Sequence, residues 1–123
     1  MRIWIATLTL IAVPSLVSAG ADCKDPRARY EDLGCVSQAL DRADKELNDT
    51  YKALLTGVDQ EGKAKLKDAQ RAWIQFRDAD TALAYRISGE GGSLGGLIAM
   101  NHKLDLTTER TRQLKEFANA GGR

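Results

Sequence analysis

From Val36 onward, apolar residues return at intervals of three and four. Val36, Leu40, Ala43, Leu47, Tyr51, Leu54 and Val58 form one such series, which places a single apolar stripe along a helix. Gly57 and Gly62 bracket a short connector through Asp59, Gln60 and Glu61. A second series comes next: Leu66, Ala69, Trp73, Phe76, Asp80, Leu83 and Ile87, in which Asp80 alone interrupts the apolar seam. Trp73 and Phe76 read as core residues of this helix.

The second series ends in the run Ser88–Gly96, which contains five glycines. Holding such a run in a helix carries a large entropic penalty, so it predicts a turn, with Ser93 as the N-cap of the next helix. Leu97, Met100, Leu104, Thr107, Thr111, Leu114 and Ala118 then define a third helix. Thr107 and Thr111 weaken its stripe and read as threonines at a bundle edge, with an exposed groove as the alternative. Strand-like alternation is missing from Asp22 to the C-terminus. Three helices of roughly 25 residues joined by short loops pack antiparallel. The predicted fold is therefore all-α: antiparallel helical hairpins forming a three-helix bundle.

Polar residues on these helices need partners. Asp44, Asn48 and Tyr51 share a face beside the first stripe, and Gln70, Trp73 and Arg77 share one on the second helix. Folding the first hairpin about Asp59–Gln60 sets Asp44 near Arg77 and Tyr51 near Gln70. These groups are expected to hydrogen-bond together across a polar seam. A packing network that fixes helix register is the favoured reading, and an acid–base or ligand site is the other.

Ahead of the helices the chain changes character. Arg2, the apolar run Ile3–Val17 and the small residues Ser18–Ala21 have the form of a signal peptide. Cleavage fits after Ala19 or after Ala21. Pro14 and the shortness of the run argue against a retained membrane anchor. Residues 1–21 are thus expected to be removed, leaving a helical domain over 22–123 in the periplasm or secreted. That domain carries all 17 acidic residues and, once Arg2 is removed, an equal number of basic ones. Balanced, interspersed charge gives no electrostatic case for nucleic acid or an anionic membrane. Export also places Cys23 and Cys35 in an oxidising compartment. A bridge between them closes the N-terminal segment and contributes about 3 kcal/mol in the chain-entropy model.

Recognisable catalytic chemistry is missing. His102 is the single histidine and reads as an exposed or partly packed side chain. No nucleophile elbow, metal-ligand cluster or phosphate loop occurs in the sequence. A non-enzymatic protein without metal or cofactor is expected.

The run Cys23…Cys35…Ala43-Asp44-Lys45-Glu46-Leu47-Asn48…Tyr51 resembles the first half of the LprI-type, lysozyme-inhibitor-like domain. The likeness continues through Ala69-Gln70-Arg71-Ala72-Trp73-Ile74-Gln75-Phe76-Arg77-Asp78-Ala79-Asp80. It closes with the Gly-rich turn and the segment Leu106–Leu114. The resemblance implies an exported bacterial protein and inhibition of lysozyme. It also implies a second cysteine pair at places that hold Thr81 and His102 here. Those two positions are symmetric about Gly91–Gly92 and would face each other across the second hairpin. Without that bridge, the Gly-rich turn is expected to be less stable or more mobile.

Two functions compete. In the first, the domain binds a lysozyme-like or other cell-wall hydrolase, with the turn entering a cleft lined by two carboxylates. Arg86, Glu90 and Ser93 are then the candidate contacts. Arg86 suits a carboxylate cleft, whereas Glu90 is repelled unless that carboxylate is protonated. In the second, the domain is a structural or interaction module of the cell envelope with no enzyme target.

Overall fold

The structure, a computed structural model, describes Cys23 and residues 32–121. The expected signal segment at residues 1–21 lies outside the described residues, as does most of the lead-in. Three helices make up the fold: α1 (Leu33–Thr56), α2 (Gln60–Ile87) and α3 (Gly92–Gly121). No strand occurs among the described residues. The all-α, three-helix expectation holds.

Local chemistry sets each boundary. Asp32 caps α1, its carboxylate accepting a hydrogen bond from the Cys35 amide at 3.0 Å. Asp59 caps α2 in the same way, accepting from the Gly62 amide at 2.8 Å. Glu61 in the first turn of α2 and Arg86 in its last complement the helix dipole. The Cys23–Cys35 disulfide ties the lead-in to the first turn of α1, with Cα atoms 5.0 Å apart.

The Gly-rich run divides between turn and helix, which corrects the expectation that all of it is turn. Gly89 and Gly92 adopt φ of 69° and 58°, where a side chain is strained. α3 runs from Gly92, and Ser93 lies within its first turn and is not its N-cap. Gly95 is buried inside that helix. A Cβ there would stand 2.4 Å from the Glu90 carbonyl and 2.9 Å from the Tyr85 ring. Close approach of α2 to α3 thus requires glycine at this place.

The third helix is the hub. It lies against α1 along much of its length and against α2 along the second hairpin, while α1 and α2 touch each other at few places. Near the disulfide, Cys35, Val36 and Ala39 pack with Cys23, Leu97, Met100 and Leu104. Further along, Leu47, Leu54, Leu66 and Leu114 form a second cluster with Tyr51, Leu55, Val58 and Trp73 around it. Thr107 and Thr111, expected at an edge, are instead among the most buried residues, at 0% and 4% exposure. Their hydroxyls donate to the carbonyls of Lys103 and Thr107, one turn back in the same helix, at 2.8 and 3.1 Å. A threonine that satisfies its own hydroxyl in this way can occupy a crowded helix centre.

The second helix departs most from its pattern. Its inward face is Leu66, Gln70, Trp73, Arg77, Asp80 and Ala84, all buried or half-buried. The remaining members of the predicted seam point to solvent: Ala69 is exposed, Phe76 and Leu83 are each 53% exposed, and Ile87 is 73% exposed. The physical reason lies in α3, which offers α2 a polar flank of His102, Lys103 and Arg110. Polar groups of α2 rotate inward to pair with that flank, and the apolar stripe is carried outward.

Candidate functional site

Where α2 meets α3, a line of polar side chains runs between the helices. Arg110 on α3 is buried, and its Nε donates to the Gln70 side-chain oxygen on α2 at 3.1 Å. One of its terminal nitrogens donates to Gln113 at 3.2 Å. No carboxylate among the described residues forms an ion pair with it. Burial pushes the Arg110 guanidinium below its ordinary value. Two neutral amides and the face of Trp73, 6.0 Å from the guanidinium carbon, take the place of a counter-ion.

Trp73 also meets Arg77, whose guanidinium carbon lies 5.2 Å from the ring centre. The indole is thus flanked by two cations from different helices. Arg77 extends the line into a chain of charges. It reaches Asp44 on α1 at 3.2 Å and Asp78 beside it at 3.0 Å, and Lys103 approaches Asp78 at 3.7 Å. One turn on, His102 Nε2 and Asp80 Oδ2 are 2.7 Å apart. The place implied for a cysteine is therefore occupied by a histidine hydrogen-bonded across the hairpin. Its neighbour Thr81 donates to the Arg77 carbonyl in its own helix at 2.7 Å. Beside this pair a shallow cavity of about 210 Å³ opens between Ala84, Ile87, Ser88, Ile98, His102 and Asp105.

Of the sequence-predicted seam residues, the structure brings Asp44, Arg77, Trp73 and Gln70 into one connected region. Two others stand apart. Asn48 is exposed and forms no side-chain hydrogen bond with another described residue, so its expected place in the network is corrected. Asn48 faces solvent beside the buried Leu47. Tyr51 is half-buried against the second apolar cluster, and Gln70 takes Arg110 in place of the expected Tyr51. Sequence reasoning missed Arg110, Gln113, Lys103 and the His102–Asp80 pair. The signal was present: the symmetry about Gly91–Gly92 that opposes Thr81 to His102 also opposes Gln70 to the neighbourhood of Arg110.

The second candidate element is the turn between α2 and α3. Arg86 lies in the last turn of α2, Glu90 in the connecting turn and Ser93 in the first turn of α3, all three exposed. Arg86 and Glu90 have no ion-pair partner among the described residues, so both charges are available to another molecule. The glycines of this turn, Gly89 and Gly91, have open space around the position a Cβ would take. The arrangement can present a cation and bare backbone to a surface. Among the described residues, no group of histidine, cysteine and carboxylate side chains is placed to hold a metal ion.

A relative from Rhizobium meliloti (strain 1021), an uncharacterized protein, is 32% identical over 109 residues, covering 78% of each chain. No solved structure gives a significant match. The family model described as "Lysozyme inhibitor LprI" matches residues 23–114, from the first cysteine to the buried Leu114. Both cysteines, the polar seam and the Gly-rich turn fall inside that span, and the chain belongs to the LprI lysozyme inhibitor family.

Proposed function

We propose that this chain is an exported, non-enzymatic binding protein that inhibits a lysozyme-type, peptidoglycan-cleaving enzyme. The observation that carries the reading is the match of the lysozyme inhibitor family model across residues 23–114. Export is supported by the signal-like residues 1–21 and by the disulfide, which suits an oxidising compartment. No helix among the described residues is long and apolar enough to cross a membrane.

Contact chemistry favours the α2–α3 turn as the inhibitory element. Glycosidases of this class carry two carboxyl groups flanking the scissile bond. Arg86 brings an exposed guanidinium without an ion-pair partner among the described residues, and a carboxylate pairs with such a group bidentately. The backbone at Gly89 and Gly91 approaches closely because no side chain intervenes. The seam of Asp44, Gln70, Trp73, Arg77 and Arg110 then holds α2 against α3 and sets the attitude of the turn.

The test is a turbidity assay of lysozyme on cell walls, with the chain lacking residues 1–21 as inhibitor. Slowed clearing, lost on Arg86→Ala while Asn48→Ala inhibits normally, is the expected result. Unslowed clearing at large molar excess over several lysozyme classes overturns the proposal.

A further inference from the structure

The outward stripe of α2 is left without a partner, and its composition says what fits it. Ala69, Ala72, Phe76, Ala79, Leu83 and Ile87 fall within a narrow sector of the helix, at about 100° per residue, and all are exposed. Small residues lie mostly toward its start and large ones toward its end: alanines at 69, 72 and 79, bulky groups at 76, 83 and 87. Charges mark both ends. Lys65 and Asp68 lie toward the start of the helix, with Arg86 and Glu90 at and beyond its end. All four are exposed, and none forms an ion pair among the described residues.

We propose that this face is a self-association surface, on which α2 packs antiparallel against α2 of a second copy of the chain. Turning the helix about a two-fold axis between Phe76 and Ala79 opposes each bulky residue to a small one. Phe76 meets Ala79 of the other copy, and Leu83 meets Ala72. Such pairs interlock as knobs do in holes, and the alanines let the helices approach closely. The same operation satisfies the charges. Asp68 and Arg86 lie on one flank of the stripe, and an antiparallel two-fold matches a flank with itself, so Asp68 of each copy comes beside Arg86 of the other. The Lys65 end of each helix meets the Glu90 turn of its mate. A parallel two-fold would instead match opposite flanks, leaving each Asp68 level with the other Asp68 across the seam and far from any Arg86, so these charges would find no partner. The isologous, antiparallel arrangement is the one whose shape and charge both close.

One helix face makes an interface at the small end of the specific range, so association is expected in the micromolar regime. Arg86 and Glu90 also belong to the turn proposed to contact the enzyme. Self-association and enzyme binding therefore compete for them.

Sedimentation equilibrium over a concentration series tests the surface. The chain lacking residues 1–21 is expected to pass from monomer to dimer. Leu83→Glu, on an exposed position, should keep the helical circular dichroism and weaken association at least about thirtyfold. Asp68→Arg alone and Arg86→Asp alone should each weaken it about tenfold, and the two together should restore it. Zero-length carbodiimide coupling fixes the direction. Lys65 lies about 33 Å along α2 from the helix end at Ile87, which puts it beyond reach of Glu90 within a chain, so a Lys65–Glu90 cross-link found only in dimers supports the antiparallel pair. A monomer at every concentration overturns the proposal, as does a dimer indifferent to Leu83→Glu or a double swap that fails to restore. Enzyme inhibition is read separately with Leu83→Glu, which leaves the turn intact: full inhibition by this variant alongside lost association keeps the two readings distinct.

Discussion

The pairing of α1 with α3 and the pairing of α2 with α3 use the same hub helix but differ in chemistry: the first is mainly apolar, the second mainly polar beyond Leu66 and Trp73. Against α1, the hub presents Leu97, Met100, Leu104 and Leu114, and α1 answers with Val36, Ala39, Leu47 and Leu54. That interface is close-packed, with Val36, Thr107 and Leu114 at 0% exposure. Against α2, the hub presents Arg110, Lys103 and His102, and α2 answers with Gln70, Asp78 and Asp80. Apolar burial is non-directional and tolerates sliding, whereas hydrogen-bonded pairs hold only at one register. The α1–α3 half supplies most of the cohesion. The α2–α3 half fixes where α2 and its turn are held.

The largest expected effect lies in the apolar half. Leu114→Ala removes a fully buried side chain from the second cluster and should lower stability by about 3 kcal/mol, read by urea denaturation. A loss below about 1 kcal/mol would mean that the α1–α3 contact is looser than its geometry. On the α2 side, Thr81→Cys with His102→Cys should form a bridge across the second hairpin and raise stability by about 2 kcal/mol. It should also slow amide exchange through Ser88–Gly91, which in the parent chain should exchange fast. Failure of the two thiols to oxidise would place these positions farther apart than the His102–Asp80 contact implies. Gln70→Ala leaves the buried Arg110 without its principal oxygen partner and should cost about 1–2 kcal/mol. Smallest of all, Phe76→Ala should change the stability of the dilute monomer by less than about 0.5 kcal/mol, despite removing an aromatic ring.

How far the sequence carries depends on the same division. The stripe of α1 is legible because its apolar residues all turn toward the hub, and Val36, Leu47 and Leu54 are buried where the period sets them. Asp44 and Arg77 lie opposite each other as expected, since hairpin symmetry alone determines that pairing. For α2 the period identifies an apolar sector but carries no information on which sector faces inward. That choice depends on the polar flank of α3, a property of another helix. The threonines of α3 mislead for a related reason: residue type suggests an edge, while the intrahelical bonds of their hydroxyls permit full burial. Arg110 escapes notice because a lone arginine on a helix reads as solvated. Only the pairing of α3 with α2 reveals the two amides and the indole that shelter it.

The orientation of α2 is the claim on which the seam, the turn and the outward stripe all rest, and thiol accessibility measures it directly. Both native cysteines are tied up in the disulfide, so a single introduced thiol reports without interference. In dilute protein, Leu83→Cys should react with a thiol reagent at nearly the rate of an unfolded peptide. Gln70→Cys, on the inward face, should react only as fast as the domain opens. Protection of Leu83→Cys together with rapid labelling of Gln70→Cys would show α2 turned the other way, with its apolar stripe inside.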